Sequence, residues 1–282
     1  MSVPRPHYLL DLGKIRQNRT ILGDLRRASG CRIVHALKAC ALPALLPRLS
    51  EVLDGCCASG PWEAQLAAEF FPTGHILTCS PAYTAADLEV LLPITHHLDF
   101  NSIGQWKRFG SRVRAHPRFR SGDLRCGLRI NPRCSTGPTP LYDPCAPGSR
   151  LGTPLEHLAH ASLEGLSGLH FHTLCEQGSD DLETTLEAVE HQFGDLLRSE
   201  QIRWINLGGG HWITHPAYDR ERLKRLIEQC RTRYHLEEVW LEPGEAAVLE
   251  AGTLVATVLD LFTNHDVEIA ILDISATAHM PD

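Results

Sequence analysis

The sequence predicts an α/β protein, namely a (β/α)8 TIM-type barrel followed by a partial C-terminal β domain. Three observations support this fold class. Short apolar strands alternate with amphipathic helices along most of the 282 residues, which is typical of a parallel sheet. Eight such strands can be counted, and a closed barrel of eight strand–helix units needs about 250 residues. After residue 244 the alternation ends and β-rich runs follow.

The eight predicted strands are short segments rich in apolar residues. They are 31–36, 54–59, 75–80, 96–101, 125–131, 168–173, 203–208 and 237–242. Amphipathic helices are predicted between most of them, most clearly at 61–71, 181–200 and 219–234. Residues 132–150, which are rich in Pro and Gly, are predicted to form a long loop after the fifth strand. Loops of that length in compact domains are often functional, and disorder is the alternative.

This pattern divides the chain into two parts. A cofactor-binding barrel is predicted at residues 13–244, and residues 1–12 plus 245–282 are predicted to form part of a C-terminal β domain. The early strand at 7–12 can pair with the later β-rich runs. The 38 residues after the barrel are too few for a sheet domain with its own core, so this β domain is expected to be truncated.

Composition and charge argue against several classes of function. The formal net charge is −7, and without a basic stripe no nucleic-acid binding is expected. No apolar run is long enough to span a membrane. The N-terminus lacks a signal-peptide pattern, so a cytoplasmic protein is expected. The 10 Cys include no CxxC pair and the 16 His form no zinc-binding spacing, so reduced thiols and no metal site are expected.

Candidate catalytic residues lie where the predicted strands end, because that end of a barrel carries the active site. Lys38 follows the first strand and could supply an amine for Schiff-base chemistry or simply extend to the barrel rim. Gly208, Gly209 and Gly210 follow the seventh strand, where such barrels usually bind phosphate, although a tight turn would also use glycine.

Two further strand ends carry suitable side chains. Glu242 ends the eighth strand and could keep a pyridine nitrogen protonated, or could be satisfied by nearby backbone. His170 and His172 alternate with apolar residues, so both point to the same face of the sixth strand. His172 lies nearer the strand end and is the better candidate to stack on a flat ring, the alternative being a buried core histidine.

Six segments carry a resemblance to a known family. They are HALKA at 35–39, PGSRLG at 147–152, GLHFHTLCEQ at 168–177, NLGGGHWIT at 206–214, EPGEA at 242–246 and LDISATAHMPD at 272–282. With them the chain resembles the fold-type III pyridoxal-phosphate enzymes, the group of alanine racemase and ornithine decarboxylase, and within it the carboxynorspermidine (carboxyspermidine) decarboxylases. The resemblance implies pyridoxal 5′-phosphate as cofactor. It also implies decarboxylation of carboxynorspermidine or carboxyspermidine to norspermidine or spermidine in polyamine biosynthesis, by a homodimer in the full-length form.

The resemblance also implies roles for particular residues. Those at the cofactor are Lys38 as its covalent attachment, His172 stacked on its ring, Gly208 to Gly210 at its phosphate and Glu242 at its pyridine nitrogen. Arg129 would steady His172, and Ser59 would line the site.

The chain departs from its relatives at the mouth of the site. Where ornithine decarboxylase has a phosphate-binding arginine after EPG, this chain has Glu245, and Cys175 replaces a frequent phosphate-binding serine. An acid there can bind a substrate ammonium or remain solvated. Asp273 and Asp282 are further candidates for binding the polyamine, with Asp282 favoured because it follows the end of the strand.

Alternative functions stay open at this point. The chain stops before the family's C-terminal motifs, including those that a partner subunit contributes, so a truncated, inactive decarboxylase with weakened dimerisation is one alternative. A racemase would pair the pyridine nitrogen with arginine rather than Glu242. A single-domain barrel of pyridoxal-phosphate homeostasis would lack the EPGE acid.

Overall fold

The structure is a computed structural model that describes residues 6–137 and 139–280. Within these ranges the chain forms twelve strands and ten α-helices. The strands are β1 His7–Leu10, β2 Arg32–Ala36, β3 Gly55–Ala58, β4 His75–Ser80, β5 His97–Phe100, β6 Arg125–Arg129, β7 Gly168–His170, β8 Trp204–Asn206, β9 Glu238–Leu241, β10 Gly252–Val255, β11 Val258–Asn264 and β12 Val267–Leu272. The helices are α1 Leu12–Ser29, α2 Leu46–Ser50, α3 Pro61–Phe70, α4 Ala85–Leu91, α5 Ile103–Ala115, α6 Pro117–Ser121, α7 Ser179–Leu197, α8 Arg220–Tyr234, α9 Glu245–Val248 and α10 Ala276–His279.

Strands β2 to β9 form a closed parallel barrel in sequence order, so the predicted (β/α)8 barrel is confirmed. The barrel closes because β2 pairs with β3 on one side and with β9 on the other. All eight strands lie inside the predicted segments. The largest difference is at β7, which ends at His170, because the next residues leave the sheet and pack over the glycines at 208–210.

Two large indole side chains fill the barrel interior. Trp204 and Trp240 are fully buried there with Val34 and Leu77. A Cβ on Gly168 would lie 1.9 Å from Trp204 Cε2. Because real side chains do not approach so closely, strand β7 needs glycine where the Trp204 indole crosses the barrel.

Helix α1 shows how the outer layer is positioned. The Asp11 carboxylate accepts hydrogen bonds from two backbone N–H groups of the first turn, and Gly30, with a φ of 65°, ends the helix. Between these caps α1 buries Ile15, Leu22 and Leu25. A fully buried aliphatic side chain contributes about 1.5–3 kcal/mol, so this apolar face attaches the helix to the barrel.

The ends of the chain form two small antiparallel pairs. Strand β1 pairs with β10, and β11 pairs with β12. The turn of the second pair contains His265 and Asp266, with φ values of 48° and 65°. Three strands therefore follow the barrel, where the sequence suggested two β-rich runs. The domain limits at 12/13 and 244/245 stay a prediction.

The long loop predicted after the fifth strand begins where β6 ends. Two asparagines tie the end of this loop to the barrel: the Gly152 N–H donates to Asn101 Oδ1 at 2.8 Å, and Asn131 Nδ2 donates to the Leu151 carbonyl at 3.0 Å. Asn101 directly follows β5, and Asn131 lies two residues beyond the end of β6. The loop is therefore anchored at the same end of the barrel as the candidate site.

The cysteines and the helices add two further facts. All ten cysteines are free, and Cys31, Cys56, Cys126 and Cys230 are buried, in keeping with small apolar side chains. In the part of the chain that the structure describes, no helix is both long and apolar enough to cross a membrane.

Candidate active site

Lys38 lies in the turn after β2, at the C-terminal mouth of the barrel. The Ala36 N–H, at the end of β2, donates to the Pro243 carbonyl at 3.1 Å. This bond ties the turn to the segment that follows β9, the strand that closes the barrel against β2. The Lys38 side chain is exposed. Burial, and next the charge of Lys38, lower the pKa of His172 well below its usual range. Lys38 is therefore exposed at the mouth, and its charge acts on His172.

Glu242 directly follows β9 and is only 5% exposed. Asn206 Nδ2 donates to its Oε1 at 2.6 Å, and the Gly208 N–H donates to Asn206 Oδ1 at 2.9 Å. The Glu242 N–H donates in turn to the Gly208 carbonyl at 2.8 Å. Since a buried carboxylate is costly unless it is hydrogen-bonded or paired, Asn206 stabilises Glu242 in this position. It also links the acid to the glycine loop.

His170 lies between two buried carboxylates. Its Nδ1 is 3.1 Å from Asp99 Oδ2 and its Nε2 is 3.7 Å from Glu242 Oε2. Burial by itself lowers the pKa of His170, but the charges of Glu242 and Cys79 and the contact with Asp99 outweigh it and raise this pKa to about 10. Burial also raises the pKa of Asp99, against the effect of His170. The geometry favours a charged imidazole between the two acids.

His172 is held as a flat ring at the mouth. Its Nδ1 accepts a hydrogen bond from the Gly209 N–H at 2.9 Å, and Arg129 Nη2 lies 3.5 Å from its backbone carbonyl oxygen. Because Nδ1 accepts this bond, the proton of the neutral ring is on Nε2. Arg129 touches His172 at the backbone, in the place where the sequence assigned it a steadying role.

The three glycines at 208–210 are needed for space. A Cβ on any of them would lie between 2.0 and 2.4 Å from a backbone carbonyl oxygen of a neighbouring segment. The N–H groups of Gly208 and Gly209 are engaged by Asn206 and His172. Within the described ranges the Gly210 N–H has no hydrogen-bond partner. Among the described contacts, Gly210 is therefore the glycine of the three whose N–H is free to donate, and the role of Gly208 to Gly210 at a phosphate stays a prediction.

Ser59 follows β3 at the rim of the mouth and is exposed. Its backbone N–H donates to Glu63 Oε2 at 2.6 Å. This contact fixes the start of α3. Ser59 lies at the entrance, at the end of β3, which pairs with the strand that precedes Lys38.

Two acids lie together at the mouth. Glu245 begins α9, and Trp212 Nε1 donates to its Oε2 at 3.2 Å. Burial, and next the charge of Glu176, raise the pKa of Glu245. Glu176 has a φ of 55°, which is uncommon for a residue with a side chain. This acidic pair, Glu176 and Glu245, borders the exposed Cys175.

Asp273, one of the two C-terminal acids predicted for substrate binding, directly follows β12. Asp273 Oδ1 accepts from the Thr257 N–H at 2.7 Å, and the Asp273 N–H donates to the Thr257 carbonyl at 3.1 Å. Asp273 therefore closes the base of the β11–β12 hairpin, and one of its oxygens is occupied there. Asp282 lies outside the described residues.

Sequence reasoning missed Asp99 and Asn206 and gave no role to His170. All three are fully or almost fully buried in the barrel. A signal was present, because polar residues at inward-facing positions of otherwise apolar strands need partners. Because His172 lies nearer the strand end, it was preferred over His170, and the contact of His170 with Glu242 was not predicted.

Comparisons with known proteins identify related chains. No protein-family model matches the chain. The chain is 38% identical over 281 residues to the carboxynorspermidine/carboxyspermidine decarboxylase of Campylobacter jejuni, covering 100% of this chain and 70% of that relative. It is also 38% identical over 281 residues to the carboxyaminopropylagmatine decarboxylase of Synechocystis, again covering 100% and 70%.

Solved structures show the same fold. The crystal structure of carboxynorspermidine decarboxylase from Campylobacter jejuni, complexed with norspermidine, has a TM-score of 0.87 and 37% identity, covering 99% of this chain and 70% of that chain. The diaminopimelate decarboxylase from Helicobacter pylori, complexed with L-lysine, has a TM-score of 0.80 at 21% identity, covering 98% and 72%. At 21% identity, the similarity to the diaminopimelate decarboxylase shows only a shared fold.

Proposed function

The chain belongs to the family of the carboxynorspermidine/carboxyspermidine decarboxylases, and from this premise we propose that it decarboxylates carboxynorspermidine or carboxyspermidine with pyridoxal 5′-phosphate as cofactor. The products would be norspermidine or spermidine. The observation that carries the proposal is the convergence of Lys38, His172 and Glu242 on one barrel mouth. An amine, a flat neutral ring and a buried acid there are the groups that this cofactor needs.

The residues present fit the cofactor. The glycines at 208–210 form a cradle that any Cβ would fill, and Gly210 has a free N–H that can donate to a phosphate oxygen. A loop of this kind after the seventh barrel strand is a usual phosphate site. When bound, pyridoxal phosphate supplies an electron sink for the charge left by loss of the carboxylate.

Lys38, His172 and Glu242 would each have a separate role at the cofactor. Lys38 would hold the cofactor covalently through its exposed amine. His172 would stack on the cofactor ring, with its orientation fixed by the Gly209 N–H. Glu242 would hold a proton at the pyridine nitrogen, because Asn206 binds its Oε1 and leaves Oε2 available. A cation at that nitrogen would also stabilise the buried carboxylate.

The acidic pair of Glu176 and Glu245 supports a cationic substrate. Carboxynorspermidine carries ammonium groups beyond its reacting amino acid end, and a buried cation without a partner is strongly disfavoured. The mutual repulsion of the two carboxylates contributes to the raised pKa of Glu245, so a bound ammonium would relieve it. We infer that this pair selects a polyamine over a simple amino acid.

One relative suggests a second candidate substrate. The Synechocystis relative is named carboxyaminopropylagmatine decarboxylase and has the same identity to this chain as the first. An acidic mouth binds a guanidinium as well as an ammonium. Both substrate classes therefore need to be offered in the assay.

Homodimerisation is part of the same proposal. The apolar side chains of Leu261, Val267 and Tyr8 are exposed on the terminal strands, and exposed apolar patches mark surfaces that bind other protein. Light scattering of the purified chain would give its mass in solution. A monomer at micromolar concentration would contradict the dimer.

The decisive experiment offers candidate substrates to the purified chain. With pyridoxal phosphate added, carboxynorspermidine, carboxyspermidine and carboxyaminopropylagmatine would be incubated separately and products identified by mass spectrometry. We expect the decarboxylated polyamine from one of the first two at a rate above that of Lys38→Ala protein. Product from the agmatine derivative alone would reassign the substrate. No cofactor-dependent product from any of them would refute the proposal.

A further inference from the structure

Behind Glu242, the barrel interior contains a second polar layer that the proposed chemistry does not use. Asp99 on β5 is fully buried, and His170 on β7 is 2% exposed. Neither oxygen of Asp99 and neither nitrogen of His170 makes an aligned hydrogen bond. Ionisable side chains that are buried so deeply need charge partners to be stable.

The two side chains provide these partners for each other and for Glu242. His170 Nδ1 is 3.1 Å from Asp99 Oδ2, and its Nε2 is 3.7 Å from Glu242 Oε2. Both nitrogens therefore face carboxyl oxygens, and a doubly protonated imidazole can donate to both. A neutral ring would leave one nitrogen lone pair directed at a negative charge.

We propose that Asp99 and His170 are positioning residues for Glu242, with Asp99 fixing the orientation and charge of the His170 ring and the charged ring holding Glu242 as a carboxylate directed at the mouth. The inference rests on the proposed function, since the Glu242 carboxylate then meets the pyridine nitrogen. Asp99 and His170 touch neither substrate nor cofactor and act only through Glu242.

Other charged or titratable groups surround these three residues. They are Cys57 on β3, Cys79 on β4, Tyr83 after β4, Cys126 and Arg129 on β6, His172 after β7 and, as a neutral donor, Asn206 on β8. Burial raises the pKa of Asp99, and the contact with His170 and the charge of Arg129 act against this rise. The arrangement thus places two cations, His170 and Arg129, beside two carboxylates.

A metal ion is the main alternative occupant of this layer. One ligand atom each from Cys79, Asp99 and His170 lie within 4.8 Å of one another. A metal bound there would use one His170 nitrogen as a neutral ligand, and the second nitrogen alone would face Glu242. The charged ring accounts for both contacts of His170 without a further component.

The first arm of the test needs no cofactor. Nuclear magnetic resonance of the imidazole nitrogens would be followed with pH, and the His170 signals would be assigned as those lost in His170→Gln. At about pH 8, above the ordinary histidine pKa of about 6.5, we expect both nitrogens of His170 to be protonated. Asp99→Asn should make the ring neutral at that pH. A neutral wild-type His170 overturns the proposal, and this wild-type titration decides it even if Asp99→Asn fails to fold.

The second arm measures cofactor affinity. At about pH 8 we expect Asp99→Asn to bind pyridoxal phosphate about fivefold more weakly, a change on the order of 1 kcal/mol. Near pH 6 the variant should recover, because His170 is then protonated without Asp99. A merely structural role of Asp99 would give the same loss at both pH values and would overturn the proposal.

The matched control is His97→Gln. His97 is another buried histidine of the barrel interior, and its Nε2 lies 3.9 Å from Glu238 Oε2 at the opposite end of the strands. We expect this variant to change cofactor affinity equally at both pH values or not at all. The same pH-dependent loss as in Asp99→Asn would contradict a specific link to Glu242.

The failures of the two proposals are distinguishable. Wild-type protein that binds no pyridoxal phosphate but keeps a charged His170 refutes the proposed function and leaves the charge arrangement standing. Wild-type protein that binds pyridoxal phosphate but has a neutral His170 refutes the charge arrangement and leaves the proposed function standing. Stoichiometric zinc in the purified protein, lost on Cys79→Ser, would also overturn the charged-ring proposal, because His170 would then be a metal ligand.

Discussion

The side-chain amide of Asn206 lies 2.6 Å from Oε1 of Glu242. The same asparagine accepts the Gly208 N–H at 2.9 Å through its Oδ1. One buried residue therefore fixes both the acid proposed to face the pyridine nitrogen and the first glycine of the proposed phosphate loop. Because Asn206 is fully buried, losing either contact would leave a buried polar group without a partner.

Asn206→Asp tests this link directly. Aspartate keeps the acceptor for Gly208 but places a second carboxylate against Glu242, so one of the two acids must be protonated. We expect cofactor to bind and turnover to fall at least about tenfold, or about 1.4 kcal/mol. Asn18→Asp is the matched control, because buried Asn18 donates to the Leu249 carbonyl at 3.0 Å, away from the site. Equal losses of turnover in both variants would contradict the prediction.

Lys38 should be the residue that borohydride reduction links to pyridoxal phosphate. Lys38 is exposed at the mouth of the barrel, and its charge acts on His172. Peptide mapping by mass spectrometry after reduction would locate the label. Lys14 and Lys107 are the internal controls, since Lys14 pairs with Glu250 and Lys107 lies on α5. A label on either of these, with Lys38 unmodified, would refute the assignment.

Gly210→Ala should weaken both folding and cofactor binding. Gly210 has a φ of 79°, and an added Cβ would lie 2.0 Å from the Leu174 carbonyl oxygen. The left-handed backbone alone costs roughly 1–2 kcal/mol with a side chain, and the clash adds to it. The control is Gly122→Ala, where φ is 87° but the Cβ meets nothing within 4 Å. Urea unfolding should show a larger loss at position 210, and equal losses would argue against a packed cradle.

Glu245→Gln should not destabilise the protein at neutral pH, although it should weaken substrate binding. The pKa of Glu245 is raised by burial and by Glu176, so the folded state binds its proton more tightly than the unfolded state. Proton binding by Glu245 therefore favours the folded state at acidic pH. This contribution to the free energy of unfolding is lost as the pH rises from about 4.5 through the pKa of Glu245 in the folded state. Because Gln cannot ionise, the variant should unfold at the same or a higher temperature than wild type at neutral pH.

The same variant should lose at least about tenfold in kcat/KM on carboxynorspermidine, or about 1.4 kcal/mol, with cofactor binding unchanged. The control is Glu89→Gln, since Glu89 is exposed and pairs with Arg112 on an outer helix. Equal kinetics for Glu245→Gln and wild type would leave Glu245 without a role in substrate binding.

Gly168→Ala should destabilise the barrel itself. The added Cβ would lie 1.9 Å from Trp204 Cε2, and overpacking of a full core typically costs about 1–3 kcal/mol. Gly104→Ala is the control, because its Cβ would meet only Ser102 Oγ at 3.7 Å on a helix, where alanine stabilises by about 0.4–1 kcal/mol. Thermal unfolding of both variants would check the prediction. A Gly168→Ala protein as stable as wild type would show that the indole can shift.

The sequence by itself determined the barrel and the location of its active end. Each of the eight barrel strands lies within its predicted segment, because short apolar runs separated by amphipathic helices allow few other folds. Lys38, His172 and Glu242 were identifiable for the same reason. Each directly follows a strand or lies just beyond its end, and parallel strands bring those ends to one mouth.

Only the tertiary structure decided which side chains hold these residues in place. Asp99, His170 and Asn206 belong to three different strands, and their contacts with one another or with Glu242 depend on how β5, β7 and β8 are staggered around the closed barrel. A single sequence gives the face of each side chain but not this register. The same limit explains Asp273, whose contact with Thr257 follows from strand pairing. It also applies to the glycine loop, where Asn206 and His172 bind the N–H groups of Gly208 and Gly209.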